Sequence, residues 1–325
     1  MNTTSSSIPY LPATSKAAVE SDRQQLQPDA ARRMPADGGL ALVLGGGGST
    51  GNAWLIGVIA GMLDAGVDAT KADLIIGTSA GSTAAAQLTS AAPAELFAAA
   101  LAPVAGALPQ QSRTNGRVLA GSVAASMDRS AAIIAASVDV SDMRRRMGAA
   151  LMSDGASRSS AWRSTVAARL PSQAWPQQRV LITAVDARTG DPVVFDRHSG
   201  IDLVDAVAAS CSSGFAYSIG DHRYIDGGYR TNAENADLAA GCVRVLVLSP
   251  FGGRTRTPSE WGLHLETQVG ELRAQGSRVE LIFPDSDAEH LFGANAMDVS
   301  LRPAAAQAGY AQGKARAEQL VGFWR

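Results

Sequence analysis

The sequence predicts a three-layer α/β fold with a mainly parallel central sheet and a helical insertion. Three observations lead to this fold class. Short continuous apolar segments such as 40–44 are typical of strands buried on both faces of a parallel sheet. They alternate with amphipathic helical patterns, the first of which starts from Gly51. Between residues 91 and 178 the sheet pattern stops, and an Ala- and Ser-rich segment of helical tendency takes its place.

The first βαβ unit occupies about 50 residues, which is a usual length for this motif. After the strand at 40–44, apolar residues recur at helical spacing and the helix is expected to stop near Gly66. A second apolar strand follows at 73–76, and a further helix is expected from Ala80. The residues predicted to share the buried face of the first helix are Leu55, Ile56, Ile59, Ala60 and Leu63.

The sheet pattern resumes after the insertion and continues to the end of the chain. Strands are predicted at 179–185, 192–195, 223–225, 243–248 and 279–283, with helices at 202–210, 260–273 and 303–324. Residues 1–37 are rich in Ser, Thr, Gln, Ala and Pro without apolar periodicity, which predicts a disordered tail. We therefore expect one domain over residues 38–325, in which residues 91–178 form a helical insertion or lid.

Composition excludes several classes of function. With 28 basic and 30 acidic side chains the net charge is −2, so the basic excess of a nucleic-acid-binding protein is missing. The two cysteines and four scattered histidines form no disulfide framework and no metal-ligand spacing, and we expect neither a metal nor an organic cofactor. No apolar run reaches the roughly 18–20 residues of a membrane span, and the first forty residues lack the pattern of a signal peptide. A soluble, cytoplasmic protein is expected.

The segment Gly77-Thr78-Ser79-Ala80-Gly81 matches the G-x-S-x-G nucleophile elbow, with a strand before it and a helix after it. A serine on such a sharp turn has strained backbone and an exposed hydroxyl. The flanking glycines Gly77 and Gly81 let the strand and the helix approach closely. The start of the helix supplies a favourable field for a developing oxyanion.

The glycine run Gly45–Gly48 follows the first strand and continues to Gly51. Because one crossover separates this run from Ser79, both loops should emerge at the same edge of neighbouring parallel strands. Successive amides there can point at one place, as an oxyanion hole requires.

The glycine run also has to be compared with nucleotide-binding loops. A P-loop is excluded because Asn52 stands where its lysine is needed. A dinucleotide loop fits Gly46, Gly48 and Gly51, but the acidic residue expected about 20 residues later is not found at the end of the second strand.

The third motif is Asp226-Gly227-Gly228, an acidic residue at the end of a predicted strand. The three motifs together resemble the patatin-like phospholipase family, whose signatures are a G-x-G-x-x-G loop, G-x-S-x-G and D-G-G or D-G-A in that order. The resemblance covers roughly residues 40–250. It implies a patatin-like fold and a serine acyl hydrolase of phospholipase A or lysophospholipase type. Its partners would be a lipid or acyl-ester substrate and, peripherally, a membrane surface.

By this resemblance Ser79 is the nucleophile and Asp226 its base, with Gly46, Gly47 and Gly48 forming the oxyanion hole. The motif glycines would be Gly51, Gly77, Gly81, Gly227 and Gly228. The chain departs from the family in having Thr50 where an arginine or lysine is usual, and in lacking the prolines common before the aspartate. This departure leaves open a catalytically weak binding or scaffolding protein with the same fold.

A Ser-Asp-His triad of the α/β-hydrolase type is the remaining alternative, and it would need His264 or His290. We expect both rings, and that of His222, to be ordinary surface or loop side chains.

Two other features of the sequence have an ordinary structural interpretation or a weaker functional one. Cys211 lies in a small-residue stretch and is expected to pack rather than to react. Arg144–Arg146 lie beside Met143 and Met147, a pattern that suits an interfacial helix or lid, and equally a solvated arginine cluster on an ordinary surface helix.

Overall fold

A mixed sheet of eight strands lies at the centre of the molecule. The computed structural model describes residues 39–102, 125–152 and 156–324. The strands are β1 Leu40–Leu44, β2 Leu74–Gly77, β3 Arg179–Asp186, β4 Pro192–Phe195, β5 Tyr217–Ile219, β6 His222–Asp226, β7 Arg244–Leu248 and β8 Arg278–Ile282. The helices are α1 Gly48–Asp64, α2 Ala80–Leu88, α3 Pro93–Leu101, α4 Val140–Leu151, α5 Ala156–Ala167, α6 Leu203–Ser210, α7 Leu265–Ala274 and α8 Arg302–Trp324, and residues 125–135 are helical as well.

The strand order is β5-β6-β3-β2-β1-β7-β8, and β4 pairs with the second half of β3. The five strands from β3 to β8 along this order run parallel, whereas β4, β5 and β6 pair antiparallel. Helices flank this mostly parallel sheet, so the α/β fold class predicted from the sequence is confirmed.

The register of the central strands brings the two glycine-containing loops together. β1 pairs in parallel with β2 on one side and with β7 on the other, and Leu44 is opposite both Gly77 and Leu248. The loops that follow these three strands therefore leave the sheet at one edge. The sequence predicted this for the loops after β1 and β2, because consecutive parallel strands end at the same edge.

Alternate residues of β1 belong to different hydrophobic clusters. Leu42 and Leu44 pack into the larger cluster with α1, whereas Ala41 and Val43 pack on the opposite face with residues of α7 and β7. All four side chains are completely buried. This two-sided burial explains why β1 reads as a continuous apolar run rather than as an alternating one.

Helices α1 and α8 pack in backbone contact. A Cβ added to Gly57 or Gly61 of α1 would overlap carbonyl groups of α8, and one added to Gly309 or Gly313 of α8 would overlap carbonyl groups of α1. Small residues every fourth position on both helices allow this separation because no side chain stands between the backbones. The pairing places the beginning of α8 beside the beginning of α1.

The interfacial interpretation of helix α4 is corrected by its packing. Met143 and Met147 are each only 2% exposed, and they pack with Val185 and Ile225 rather than facing solvent. Arg144 turns inward and donates hydrogen bonds to the backbone carbonyls of Tyr229 and Arg230. Arg145 and Arg146 form ion pairs with Asp142 on the same helix. The apolar side of this helix is therefore part of the core.

Two local differences from the sequence-based expectations concern short elements. The helix expected at 260–273 begins only at Leu265, after a single 3-10 turn over Ser259–Trp261. The three-residue strand β5 was not expected, because its alternation is too short to stand out from a loop. In the described part of the chain, no helix is both long and apolar enough to cross a membrane.

Candidate active site

Ser79 occupies the sharp turn between β2 and α2, and its backbone is strained. Its φ is 51° and its ψ is −116°, a combination that costs a non-glycine residue about 1–3 kcal/mol. A Cβ at Gly77 would lie 2.6 Å from the Cα of Ser82, and one at Gly81 would overlap the carbonyl of Leu44. The turn therefore needs glycine on both sides, as the motif predicted. The Ser79 side chain remains partly exposed.

The side chains of Ser79 and Asp226 are hydrogen-bonded to each other. Ser79 Oγ donates to Asp226 Oδ2 at 2.9 Å, although the two residues are far apart in the sequence. Asp226 ends β6, and its other oxygen, Oδ1, accepts from the amide of Gly228 at 2.8 Å. The amide of Asp226 in turn donates to the carbonyl of Ser212 at 3.0 Å. The carboxylate is thus held on both oxygens, with one of them facing the serine.

Burial makes Asp226 a stronger base than an ordinary aspartate. The residue is 6% exposed, and desolvation raises the pKa of its carboxyl group from 3.8 to about 6. The hydrogen bonds from Gly228 and Ser79 act in the opposite direction, since they stabilise the charged form. A carboxylate with this pKa is ionised at neutral pH and accepts a proton more readily than an exposed one.

Gly227 and Gly228 differ in the reason for being glycine. A Cβ at Gly227 would overlap Thr183 on β3, so only glycine lets the chain turn this close to the sheet. Gly228 has more room, and it contributes through its amide hydrogen bond to Asp226. Both glycines therefore serve the placement of the carboxylate.

The glycine loop after β1 lies directly beside Ser79. A Cβ added to Gly46 would be 3.5 Å from the Cβ of Ser79. The amide of Gly46 donates to the carbonyl of Ala233 at 2.8 Å, so this N–H is already engaged. No acceptor for the amides of Gly47 and Gly48 is found within the ranges that the structure describes. Of the three glycines predicted as oxyanion donors, Gly47 and Gly48 thus have the free amides.

The shape of this loop depends on close contacts of its glycines. A Cβ at Gly47 would come within 2.5 Å of the Cβ of Pro250, and Gly48 has a φ of 63°, in the left-handed region. Helix α1 begins at Gly48, and the amide of Gly51 closes its first turn on the carbonyl of Gly47 at 2.9 Å. Thr50, which stands where a basic residue was expected, is fully buried.

The histidines lie elsewhere and have other partners. His264 Nε2 is 2.8 Å from the carbonyl oxygen of Thr257, and His290 Nδ1 is 2.8 Å from that of Asp287. The exposed ring of His222 lies near Asp186, with 3.8 Å between Nδ1 and Oδ2. This geometry provides no support for a Ser-Asp-His triad.

Cys211 contacts the turn that contains Ser79 and the first turn of helix α2. Its thiol donates to the carbonyl oxygen of Ser79 at 3.1 Å and lies 3.6 Å from the hydroxyls of Ser82 and Thr83. Burial, and to a smaller extent the charge of Asp226, raise the pKa of the thiol to about 11. Since the thiolate is the reactive form, this cysteine is suited to packing and not to nucleophilic chemistry.

The sequence did not point to several residues that hold the site together. Ser210 Oγ accepts from the amide of Ser79 at 2.9 Å. Asn235, in a left-handed conformation, donates to Thr78 Oγ1 at 2.9 Å and to the carbonyl of Gly227 at 3.0 Å, and so links the two motifs. The sequence holds no clear signal for Asn235, because its burial, and with it the need for hydrogen-bond partners, is known only from the structure. Nothing local distinguishes Ser210 from other serines.

The glycine loop has a second buried carboxyl group behind it. Glu234 is 1% exposed, and its Oε1 accepts from Ser249 Oγ at 2.6 Å. Its Oε2 has no hydrogen-bond partner in the described parts of the chain. Burial raises the pKa of Glu234 to about 7, although the hydrogen bond from Ser249 opposes this shift. At neutral pH this carboxyl group is therefore close to its midpoint.

A buried carboxylate bonded to a strained serine, next to free backbone amides, can accept the proton of that serine without a histidine. The chain belongs to the patatin-like phospholipase family, because the model of this family matches residues 42–239, more than half of the sequence. Membership in this family implies lipid acyl hydrolase activity and lipid substrates. A search of curated proteins finds no match.

Proposed function

We propose that this protein is a serine acyl hydrolase of phospholipase A or lysophospholipase type, with Ser79 as nucleophile and Asp226 as general base. The observation that carries the proposal is the 2.9 Å hydrogen bond from Ser79 Oγ to the buried Asp226 Oδ2. The family match supports the class of reaction, and the partial exposure of Ser79 leaves its hydroxyl accessible to substrate.

The first half of the reaction acylates the enzyme. Asp226 Oδ2 takes the proton of Ser79 Oγ while this oxygen attacks the ester carbonyl carbon, and the carbonyl oxygen becomes an oxyanion. When the tetrahedral intermediate collapses, the bond to the alcohol oxygen breaks and the proton on Asp226 passes to this leaving group. The products of this half are an acyl-serine and the free alcohol, for example a lysolipid.

The second half releases the acid. Asp226 takes a proton from a water molecule, whose oxygen attacks the acyl-serine carbonyl carbon. The bond to Ser79 Oγ then breaks, the proton returns from Asp226 to this oxygen, and a fatty acid leaves. Asp226 therefore acts first as base and then as acid in each half of the reaction, and it ends each half in the ionised form in which it began.

The oxyanion in both halves needs hydrogen-bond donors, and the amides of Gly47 and Gly48 are the candidates. They belong to the loop that lies beside Ser79, and they stand at the N-terminus of α1, where the helix dipole favours negative charge. Removing one such donor typically lowers the rate by about 10²–10³. Gly46 contributes to the loop's position, since its amide is bonded to Ala233.

The proposal is tested with Ser79→Ala and Asp226→Asn in the full chain. Hydrolysis of a panel of phospholipids, lysophospholipids and short-chain esters is measured, together with covalent labelling by a fluorophosphonate. Both variants should lose nearly all hydrolysis, and the double variant should be little worse than either single one, because the two residues act as a unit. Thermal unfolding checks that the variants are folded.

The control is Ser82→Ala, which removes a neighbouring hydroxyl that faces the carbonyl of Ser79 and not its side chain. It should keep labelling and hydrolysis within an order of magnitude of the parent. Substantial hydrolysis by folded Ser79→Ala would contradict the proposal. A parent protein that binds lipid but neither labels nor hydrolyses any ester would instead indicate a binding or scaffolding role.

A further inference from the structure

The start of helix α1 is held by a segment that lies outside the family match. The amide of Thr50 donates to the carbonyl of Ala296 at 3.0 Å, and a Cβ at Gly48 would come within 2.6 Å of the same carbonyl oxygen. The family model ends at residue 239. The free amides proposed as the oxyanion hole therefore rest on residues contributed by the end of the chain.

Arg302, the first residue of α8, makes the most extensive of these contacts. Its Nη1 donates to the carbonyl oxygen of Ser49 at 2.8 Å and lies 3.3 Å from Ser49 Oγ, while its Nη2 donates to Asn52 Oδ1 at 3.2 Å. The guanidinium group thus spans the first turn of α1. Close packing of α1 on α8 through their glycines brings Arg302 to this place.

The surroundings of Arg302 disfavour its positive charge. Burial lowers the pKa of its guanidinium group, and the neighbouring charge of Arg169 acts in the same direction. A cation beside a helix N-terminus is also disfavoured by the helix dipole. No carboxylate forms an ion pair with Arg302 among the residues described. A transient anion at the amides of Gly47 and Gly48 would offset these effects by attracting the guanidinium group.

Hydrogen bonds further connect Arg302 to the end of helix α2. Asn52, which accepts from Arg302, donates through Nδ2 to Gln87 Oε1 at 3.0 Å. Gln87 lies at the end of α2, the helix that begins directly after Ser79, and donates to the carbonyl of Arg169 at 3.0 Å. The first turn of α1 and the helix behind the nucleophile are therefore tied together through one network.

We propose that Arg302 is a positioning residue for acyl transfer: it holds the first turn of α1 so that the amides of Gly47 and Gly48 face the oxyanion, and its charge adds to the field there. The inference rests on the proposed function of Ser79 and Asp226. It assigns part of the active site to the C-terminal helix. Thr50 has no charge to offer at this turn, whereas Arg302 brings a cation into contact with it.

Three substitutions separate the charge of Arg302 from its hydrogen bonds. Arg302→Lys keeps the charge but loses the two-pronged geometry, Arg302→Gln keeps a donor without charge, and Arg302→Met keeps only the apolar stem. The control is Arg316→Gln on the same helix, where the exposed arginine contacts Gln319. For each full-length variant, kcat and KM for a short-chain ester, the rate of fluorophosphonate labelling and the thermal midpoint are measured.

Loss of oxyanion stabilisation appears in kcat and in labelling rather than in KM, because it acts on the transition state. We expect kcat to fall about 10²-fold for Arg302→Met, similarly for Arg302→Gln, and about tenfold for Arg302→Lys, with KM changed by less than about threefold. If Asp226 is the base, kcat/KM rises with pH as its carboxyl group ionises. The pH at which kcat/KM is half-maximal should be the same in the Arg302 variants and the parent, because Arg302 does not contact Asp226. Arg316→Gln should behave like the parent.

Two results would overturn the inference. One is a folded Arg302→Met that labels within about twofold of the parent, and the other is equal kcat for Arg302→Lys and Arg302→Gln, which would make the charge irrelevant. If Arg302→Met does not fold, the comparison of the lysine and glutamine variants decides. A parent that is not labelled at all would refute the proposed function, which is a different outcome from equal labelling of parent and variants.

Discussion

At the scale of single residues, the candidate site concentrates features that lower stability. Ser79 has a positive φ, Asp226 is a buried carboxylate, and Glu234 is a second one behind the glycine loop. None of these features is needed to build an α/β sheet. Their presence at one edge of the sheet is typical of a functional site, where strain and shifted pKa values are retained for chemistry.

The shifted pKa of Asp226 predicts the pH dependence of the reaction. As the proposed base, Asp226 must be ionised to accept the serine proton, so kcat/KM should rise with pH and level off above an apparent pKa near 6. An exposed aspartate would place this midpoint about two units lower. The measurement is kcat/KM for a neutral short-chain ester between pH 4 and pH 9, so that the substrate does not titrate.

His264→Ala and His290→Ala are the matched controls for this profile. Both rings bond to backbone carbonyls away from Ser79. Each variant should therefore show the same rise of kcat/KM with pH as the parent, and near-normal activity. A loss of about 10³-fold or more in either folded variant would favour a triad over the dyad. A kcat/KM that is half-maximal near pH 4 would mean that Asp226 is more hydrated in solution than its 6% exposure indicates.

At the scale of elements, the pairing of α1 with α8 links the fold to the site. Four glycines let the two backbones touch, and this contact positions Arg302 and the carbonyl of Ala296 at the first turn of α1. The pairing is tight in the sense that an added methyl group has nowhere to go. Overpacking of such a contact shifts backbones and not only side chains.

Gly313→Ala tests this packing. The new Cβ would overlap the carbonyl of Val58, and we expect a loss of about 1–3 kcal/mol in the free energy of unfolding. The control is Gly322→Ala on the same helix, where an added Cβ meets nothing within 4 Å. This variant should be neutral or more stable by up to about 1 kcal/mol, since alanine favours helix.

Chemical denaturation of the two variants provides the comparison. If α8 positions the oxyanion turn, Gly313→Ala should also lower kcat under conditions in which the protein is fully folded, whereas Gly322→Ala should not. Equal stability of the two variants would mean that α1 and α8 are farther apart than the glycine contacts indicate.

At the scale of the whole molecule, two buried carboxyl groups make stability depend on pH. Asp226 and Glu234 have folded-state pKa values of about 6 and about 7, above their ordinary values of 3.8 and 4.5. At a pH between the ordinary and the folded-state pKa of each group, the folded protein binds more protons than the unfolded chain. The free energy of unfolding therefore falls as pH rises. The contribution is complete below the ordinary values and is lost as pH passes through 6 and 7.

We therefore expect the thermal midpoint to be higher at pH 5 than at pH 8. Asp226→Asn combined with Glu234→Gln should flatten this dependence, by on the order of 2–3 kcal/mol for each group at most. Replacing the exposed Glu266 by Gln is the control and should leave the pH dependence as in the parent. A parent whose midpoint rises from pH 5 to pH 8 would contradict the raised pKa values.

Features predicted well from the sequence depend on local pattern. The apolar runs of β1 and β2 predicted buried parallel strands, and the elbow around Ser79 followed from its glycines and flanking elements. Each of these signals is contained in a few consecutive residues. The boundary of α7 and the short strand β5 were missed, because a single turn or three residues carry too little periodicity.

The interfacial interpretation of α4 failed for a related reason. Arginines next to methionines on a helix describe a surface helix and a packed one equally well, since long basic side chains can turn either way. Whether Met143 meets lipid or the side chains of β3 and β6 depends on where the helix docks. Helical spacing alone contains no information on that choice.

The sequence by itself determined the class of fold and the order of the motifs, and it predicted the chemistry that we propose for Ser79 and Asp226. Only the tertiary structure decided which amides of the glycine loop are free, that Asp226 is desolvated, and that Arg302 reaches the first turn of α1. The physical reason is the range of the interactions. Backbone propensity acts over a few neighbours, whereas burial and these hydrogen bonds join residues separated by up to about 250 positions, which only packing brings together.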